Sequence, residues 1–175
     1  MRRLINLLNG ALFVLLAVNI MAQTRPDFSG RWTNEPEAQR AAGSERPGNM
    51  GSGWGPTITI TQDASRLTVT YEFFARGDMQ PPLKFVYALD GAETKNSVMI
   101  GHGIQAQTSK TAWEGDKLII TTTHSFAHPE TGALLTSEVR QALTLESPTS
   151  LIVESTRSGV LGGPASTART VYKKL

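Results

Sequence analysis

Three histidines are the residues of this chain best suited to acid-base or metal chemistry, because cysteine is absent. His124 and His128 are four positions apart, a spacing that would place both on one side of a helix. They lie in TTTHSFAHPE, however, which is typical of a strand running into a turn. Residues four apart in a strand are about 13 Å from each other. His102 lies between two glycines and is expected in a turn. We therefore predict no metal site.

Motifs for other chemistries are absent from the sequence. There is no Gly-rich phosphate loop, no Gly-x-Ser-x-Gly and no His-Glu-x-x-His. We therefore predict no cofactor and no catalytic residues, and consider binding more probable than catalysis.

The elements that would position polar side chains are strands. PTITITQ and RLTVTYEFF alternate apolar residues with threonine around a DAS turn, which predicts a hairpin. Together with a strand around Trp32, about ten strands are expected, and their links are short after the first. Such a meander avoids exposed edges by closing, so the predicted fold is an all-β, antiparallel up-and-down β-barrel of about 8–10 strands. The remaining strands are predicted over 83–89, 95–101, 104–113, 117–126, 134–146, 150–158 and 166–174.

Period-two alternation predicts which side chains enter the barrel. If Leu118 and Ile120 point inward, His124 also points inward, because it is in the same phase of its strand. Gln141 points inward if Val139 does, for the same reason. Aromatic walls with a few polar groups fit a small-molecule pocket. A filled core, in which the polar groups satisfy each other, is equally compatible with a barrel of this size. The candidate ligand-binding residues are Val69, Tyr71, Phe73, Phe85, Tyr87, His124 and Gln141.

One long connection interrupts the pattern. Residues 34–55 are rich in glycine, proline and charge, and are long for a link within a domain. We expect a mobile surface loop. The alternative is a lid over one barrel mouth, with Trp54 turned inward.

The first 22 residues differ in kind from the rest. Arg2 and Arg3 precede an apolar stretch that ends at Ala22, which predicts a signal peptide over 1–22 and one barrel domain over 23–175. The protein is therefore expected outside the cytoplasm, in the periplasm or the extracellular space. Without Arg2 and Arg3 the chain has 15 basic and 15 acidic residues, which does not favour nucleic-acid binding. Threonine-rich strand faces and an aromatic content of 7% do not favour a membrane-spanning barrel.

Several short motifs carry a resemblance over nearly the whole of residues 23–175. They are Phe-Ser-Gly-Arg-Trp at 28–32, the threonine-rich hairpin at 57–73, Trp-Glu-Gly-Asp-Lys-Leu at 113–118 and Val-Tyr at 171–172. The chain resembles the lipocalin-like (calycin) barrels, and more closely the small exported bacterial proteins of that kind. In lipocalins the Gly-x-Trp tryptophan lies at the closed end, under an arginine from the last strands. The resemblance thus implies structural closure by Gly30, Trp32 and Arg169, with Arg157 as the second choice of arginine.

The function predicted from these observations is non-catalytic binding of a small hydrophobic or amphipathic molecule by an exported barrel. One alternative is a structural or interaction module of the cell envelope that uses residues 34–55 as its contact with a protein partner of unknown identity. A weaker alternative is a calycin-type isomerase, in which His124 acts as acid or base beside Glu138, Glu72 or Tyr71.

Overall fold

Ten antiparallel strands make up the fold of this protein, which we describe from a computed structural model. The structure describes residues 25–34, 53–71, 82–100, 103–128, 130–159 and 163–175, and these ranges contain no helix. The predicted signal peptide, His102, Glu72, Phe73 and most of the connection 34–55 lie outside them. The strands are β1 (Gly30–Asn34), β2 (Thr57–Gln62), β3 (Arg66–Tyr71), β4 (Leu83–Ala88), β5 (Thr94–Ile100), β6 (Gly103–Glu114), β7 (Lys117–Ala127), β8 (Leu134–Ser147), β9 (Ser150–Arg157) and β10 (Ser166–Lys174).

The strands form one sheet that curls into a nearly closed barrel. Their order is β4-β3-β2-β1-β10-β9-β8-β7-β6-β5, so the first and last strands of the chain pair with each other. Trp32 of β1 is opposite Lys174 of β10. The predicted up-and-down β-barrel of about 8–10 strands is confirmed.

The meander sorts the connections between strands into two groups. The turns after β2, β4, β6 and β8 lie at the end where β1 starts, which we call the base. The connections after β1, β3, β5, β7 and β9 lie at the opposite end, which we call the loop end. Most of the longer connections are at the loop end.

Side chains join the two edge strands of the sheet, β4 and β5, where no backbone ladder forms. The side-chain amide of Asn96 donates to the carbonyl of Val86 at 3.0 Å. Its oxygen accepts from the backbone N–H of Val86 at 2.8 Å. Thr111 on β6 donates its hydroxyl to the carbonyl of Ala88. An asparagine side chain carries the same donor and acceptor as a peptide unit, so Asn96 replaces one rung of the missing ladder.

The core lies inside the barrel because the strands alternate as their sequences predict. On β2, Ile58 and Ile60 are buried while Thr59 and Thr61 are exposed. On β3, Leu67 and Val69 are fully buried. Branched apolar side chains suit a pleated surface with one buried face, which is why these segments form strands.

A short segment before β1 covers the base of the barrel. Phe28 is fully buried, and its ring stacks on Trp113 with centroids 6.2 Å apart. The indole N–H of Trp32 donates to the carbonyl of Phe28 at 3.0 Å. Gln62 holds the segment from the other side, since its side chain accepts from the N–H of Phe28 and donates to the carbonyl of Pro26. The base is therefore filled by aromatic side chains.

The cation over Trp32 is a lysine and not the predicted Arg169. The ammonium of Lys174 lies 5.3 Å from the centre of the Trp32 ring, and the lysine side chain passes directly over Gly30. Gly30 has a φ of +149°, a conformation that L side chains rarely adopt, and a Cβ there would also lie 2.6 Å from Cε of Lys174, so this position favours glycine. Thr170 and Tyr172 of β10 are buried, so the alternation turns Arg169 outward. There it is exposed and 3.9 Å from Glu146.

Arg157, the second choice, also lies far from Trp32. It pairs with Ser166, at the opposite end of β10 from Lys174. Eight residues of strand separate those two positions, which is about 27 Å. Arg157 is therefore a residue of the loop end.

Candidate functional site

The barrel interior has two chemically different walls towards the loop end. Strands β3 and β4 supply an aromatic wall of Val69, Tyr71, Leu83, Phe85 and Tyr87. Strands β6 to β9 supply a second interior surface, which we call the polar wall. Its members are Gln107, Ser109, Thr122, His124, Ser137, Gln141, Ser155 and Arg157.

The register of the sheet explains why the polar residues gather. Gln107 is opposite His124, and His124 is opposite Ser137, so these three form one row across β6, β7 and β8. Ser109 is opposite Thr122 in the next row, and their hydroxyl oxygens are 2.9 Å apart. Directly opposite residues share a face of the sheet, so both members of each pair place their polar groups on the same interior surface.

The polar wall contains two basic side chains and, among the described residues, no acidic one. His124 is half-buried, and Arg157 continues the inward phase of Leu151, Val153 and Ser155 on β9. Every aspartate and glutamate in the described ranges is exposed. The three described ion pairs involve Lys110, Arg140 and Arg169, so the Arg157 guanidinium has no acidic partner within these ranges.

Electrostatics couple the two basic residues. Burial lowers the pKa of His124, and the positive charge of Arg157 lowers it further. At neutral pH the imidazole is accordingly neutral and able both to donate and to accept a hydrogen bond. Arg157 then supplies the single full positive charge of the described polar wall.

Trp54 enters the barrel from the loop end. It is 2% exposed, and its indole N–H donates to the hydroxyl of Tyr87 at 3.2 Å. The hydroxyl of Tyr172 holds the neighbouring carbonyl of Gly55 at 2.7 Å. Gly55 has a φ of +88° and faces the Tyr71 ring so closely that no Cβ would fit. The inward orientation of Trp54, which the lid alternative requires, is confirmed, while residues 35–52 lie outside the described ranges.

The predicted site residues that the structure describes share one interior, while Phe73 lies outside the described ranges. Val69, Phe85 and Tyr87 are buried in the same cluster as Trp54, and Tyr71 packs against it. His124 and Gln141 lie on the polar wall, with Gln141 only 4% exposed. Whether they bind a ligand stays a prediction.

Sequence reasoning missed the interior position of Arg157 and the contribution of Gln107 and Ser137. The segment SLIVESTR contains only a weak signal for the arginine, because Leu151 and Val153 favour its phase while the apolar Ile152 lies in the other.

One predicted catalytic pair is wrong. His124 is opposite Ser137, which places Glu138 on the other face of β8, and Glu138 is exposed on the outside of the barrel. Glu72 lies outside the described ranges. Tyr71 is on the aromatic wall, across the interior from β7.

No group of three His, Cys, Asp or Glu side chains able to hold a metal ion occurs within the described ranges. The described part of the chain also contains no helix long and apolar enough to cross a membrane.

Comparison with known proteins finds a similarity among solved structures and none among family models or curated sequences. No protein-family model matches the chain, and no curated protein sequence matches it. Among solved structures, the chain is similar to the crystal structure of secretory abundant heat soluble protein 4 from Ramazzottius varieornatus. The two chains are 18% identical, with a TM-score of 0.47, and the match covers 84% of this chain and 94% of that one. The class established by the strand order itself is a nearly closed antiparallel β-barrel.

Proposed function

We propose that this protein binds one small hydrophobic or amphipathic molecule at the loop end of its barrel and does not transform it. The observation that carries the proposal is the division of the interior into an aromatic wall and a polar wall. A filled barrel whose interior served only stability would favour apolar side chains throughout, because each buried polar group requires a partner. The described interior instead has at least seven hydroxyl, amide or imidazole side chains on one side.

Two buried hydroxyls support this interpretation. The side-chain oxygens of Ser155 and Thr170 are buried and have no hydrogen-bond partner among the described residues. A buried hydroxyl without a partner costs about 1–3 kcal/mol, which a bound polar group could recover at Ser155 on the polar wall.

Trp54 supplies the apolar contact. Its ring lies 6.3 Å from that of Tyr87 at an angle of 49°, so it extends the aromatic wall into the interior. Each methylene group that a ligand buries against these rings contributes about 0.8 kcal/mol. The lipocalin-like motifs and the predicted signal peptide fit the same proposal, since a barrel of this size is either filled by its own side chains or holds one small ligand.

The test is a titration of the purified full-length chain with N-phenyl-1-naphthylamine, an uncharged apolar dye that becomes fluorescent in apolar surroundings. We expect saturable binding at one site per chain. Ser137 faces the interior and is 4% exposed, so Ser137→Phe should weaken binding at least tenfold. Its matched control is Glu138→Phe on the outer face of the same strand, which should change the affinity less than twofold.

Circular dichroism and a cooperative unfolding transition must show that both variants are folded. Binding that does not saturate, or that Ser137→Phe leaves unchanged while folded, would contradict the proposal. If Ser137→Phe does not fold, Gln107→Phe on β6, in the same row of the polar wall, replaces it, with Thr108→Phe as its control.

A further inference from the structure

We infer that the ligand carries a single acidic group, such as a carboxylate, which binds to Arg157 and His124 on the polar wall. This inference rests on the proposed function and specifies its ligand. It makes the barrel a receptor for amphipathic acids, with the apolar body of the ligand against Trp54 and the aromatic wall.

Arg157 lies at the loop end of the barrel and in the inward phase of its strand. It occupies the last residue of β9, at the loop end, where the inward phase of that strand continues from Ser155. Its register neighbour on β8 is Val139, which is buried inside the barrel. A guanidinium in this position is partly removed from water, and a partly desolvated cation is stabilised by an anion at its side.

No acidic side chain in the described ranges pairs with the Arg157 guanidinium. The acidic neighbours of Arg157 along the chain and across the sheet, Glu154 and Glu138, are exposed on the outer face. The arginines on the outer faces of β8 and β10 do have acidic partners. Arg140 donates to both oxygens of Glu114 at 3.0 and 3.1 Å, and Arg169 lies 3.9 Å from Glu146. Arg157 thus differs from them in facing inward and in lacking a partner within the described ranges.

Neutral hydrogen-bond donors lie around the two basic side chains of the polar wall. Ser137 and Gln107 share the row of His124 across β6, β7 and β8, so neutral donors surround the histidine on both sides. Thr122 and Phe126 are its inward neighbours on β7 itself. No charged group other than Arg157 faces His124 from the described parts of these strands. The site therefore offers one planar guanidinium, one imidazole and several neutral donors, which suits a singly charged oxyanion better than a doubly charged one.

The closing experiment compares two amphiphiles that differ only in the head group. Decanoate and 1-decanol are titrated calorimetrically into the purified full-length chain at pH 7.5, below the concentration at which decanoate forms micelles. We expect decanoate to bind at least ten times more tightly than 1-decanol. Arg157→Gln should reduce this preference to less than threefold, because it weakens the binding of decanoate far more than the binding of 1-decanol. The matched control, Arg169→Gln on the outer face, should keep the preference.

A second readout follows the imidazole directly. In the free protein the pKa of His124 is held low by burial and by Arg157. A carboxylate between the two groups favours the protonated imidazole, so saturation with decanoate should raise the pKa of His124 in an NMR titration, whereas 1-decanol should not.

The outcomes separate the inference from the function on which it rests. Equal affinities for the two amphiphiles, or a preference that survives Arg157→Gln, would overturn the acidic head group and leave the binding function intact. If neither these amphiphiles nor N-phenyl-1-naphthylamine bind, the proposed function itself fails.

Discussion

Asn96 is expected to contribute more to stability than its size suggests, because its side chain joins the two edges of the barrel. It is 5% exposed and bonds both the N–H and the carbonyl of Val86, at 2.8 and 3.0 Å. Asn96→Ala leaves both backbone groups without a partner. An unsatisfied, partly buried donor or acceptor costs about 1–3 kcal/mol. Because Val86 is half-buried, the cost for each of its two backbone groups is at the lower end of that range. The expected loss is therefore about 2–4 kcal/mol for the pair.

The assay is equilibrium unfolding in urea, followed by circular dichroism. Ser97→Ala is the matched control, since Ser97 is the next residue on β5 and is exposed, so the free energy of unfolding should change by less than about 0.5 kcal/mol. In a domain of this size each kcal/mol corresponds to a Tm shift of about 2–4 °C, so Asn96→Ala should lower the Tm by about 4–16 °C. A loss below about 0.5 kcal/mol for Asn96→Ala would show that the junction between β4 and β5 does not depend on this side chain.

Three further predictions concern the base, the loop end and pH. Phe28→Ala should cost about 3–5 kcal/mol in urea unfolding, because it removes a fully buried ring that stacks on Trp113; a cost below 1 kcal/mol would mean that the base is not closed by this residue. Tyr172→Phe removes the hydrogen bond to the carbonyl of Gly55, so it should lower the free energy of unfolding by about 1 kcal/mol and shift the fluorescence of Trp54. The same change in a Trp54→Phe background should cause no such shift. The pKa of His124 is lowered in the folded state, so the unfolded chain binds this proton more tightly, and stability should fall as the pH drops below the unfolded value of about 6.5. His124→Gln should lose less stability than the wild type between pH 7.5 and 5.5, and an identical loss in both would contradict the assignment.

Much of this fold could be predicted because the strands alternate cleanly. In TITITQ and RLTVTY the apolar and threonine positions do not overlap, so both the strand limits and the buried face follow from the sequence. The inward positions of His124 and Gln141 follow in the same way from Leu118 and Val139.

The prediction that Arg169 lies over Trp32 was wrong for a reason that can be found in the sequence of β10. Val171 is 8% exposed although it lies between the inward residues Thr170 and Tyr172, so STARTVYKK has apolar residues in both phases. Sequence alone could not decide whether Arg169 or Lys174 approached the tryptophan.

Two other features depend on contacts between distant parts of the chain. Gln62 holds Phe28 across a separation of 34 residues, and Trp54 reaches Tyr87 across 33. Both Phe28 and Trp54 lie outside regular strands, where no periodicity indicates the direction of a side chain. Their burial could be found only from the assembled barrel.

Native mass spectrometry of the protein purified from its own host tests whether the barrel holds a small acidic molecule. We expect a population heavier than the polypeptide by the mass of one small molecule, which dissociates on denaturation and contains an ionisable acidic group in negative-ion analysis. The polypeptide mass alone, from a protein that also fails to bind decanoate and N-phenyl-1-naphthylamine, would contradict it.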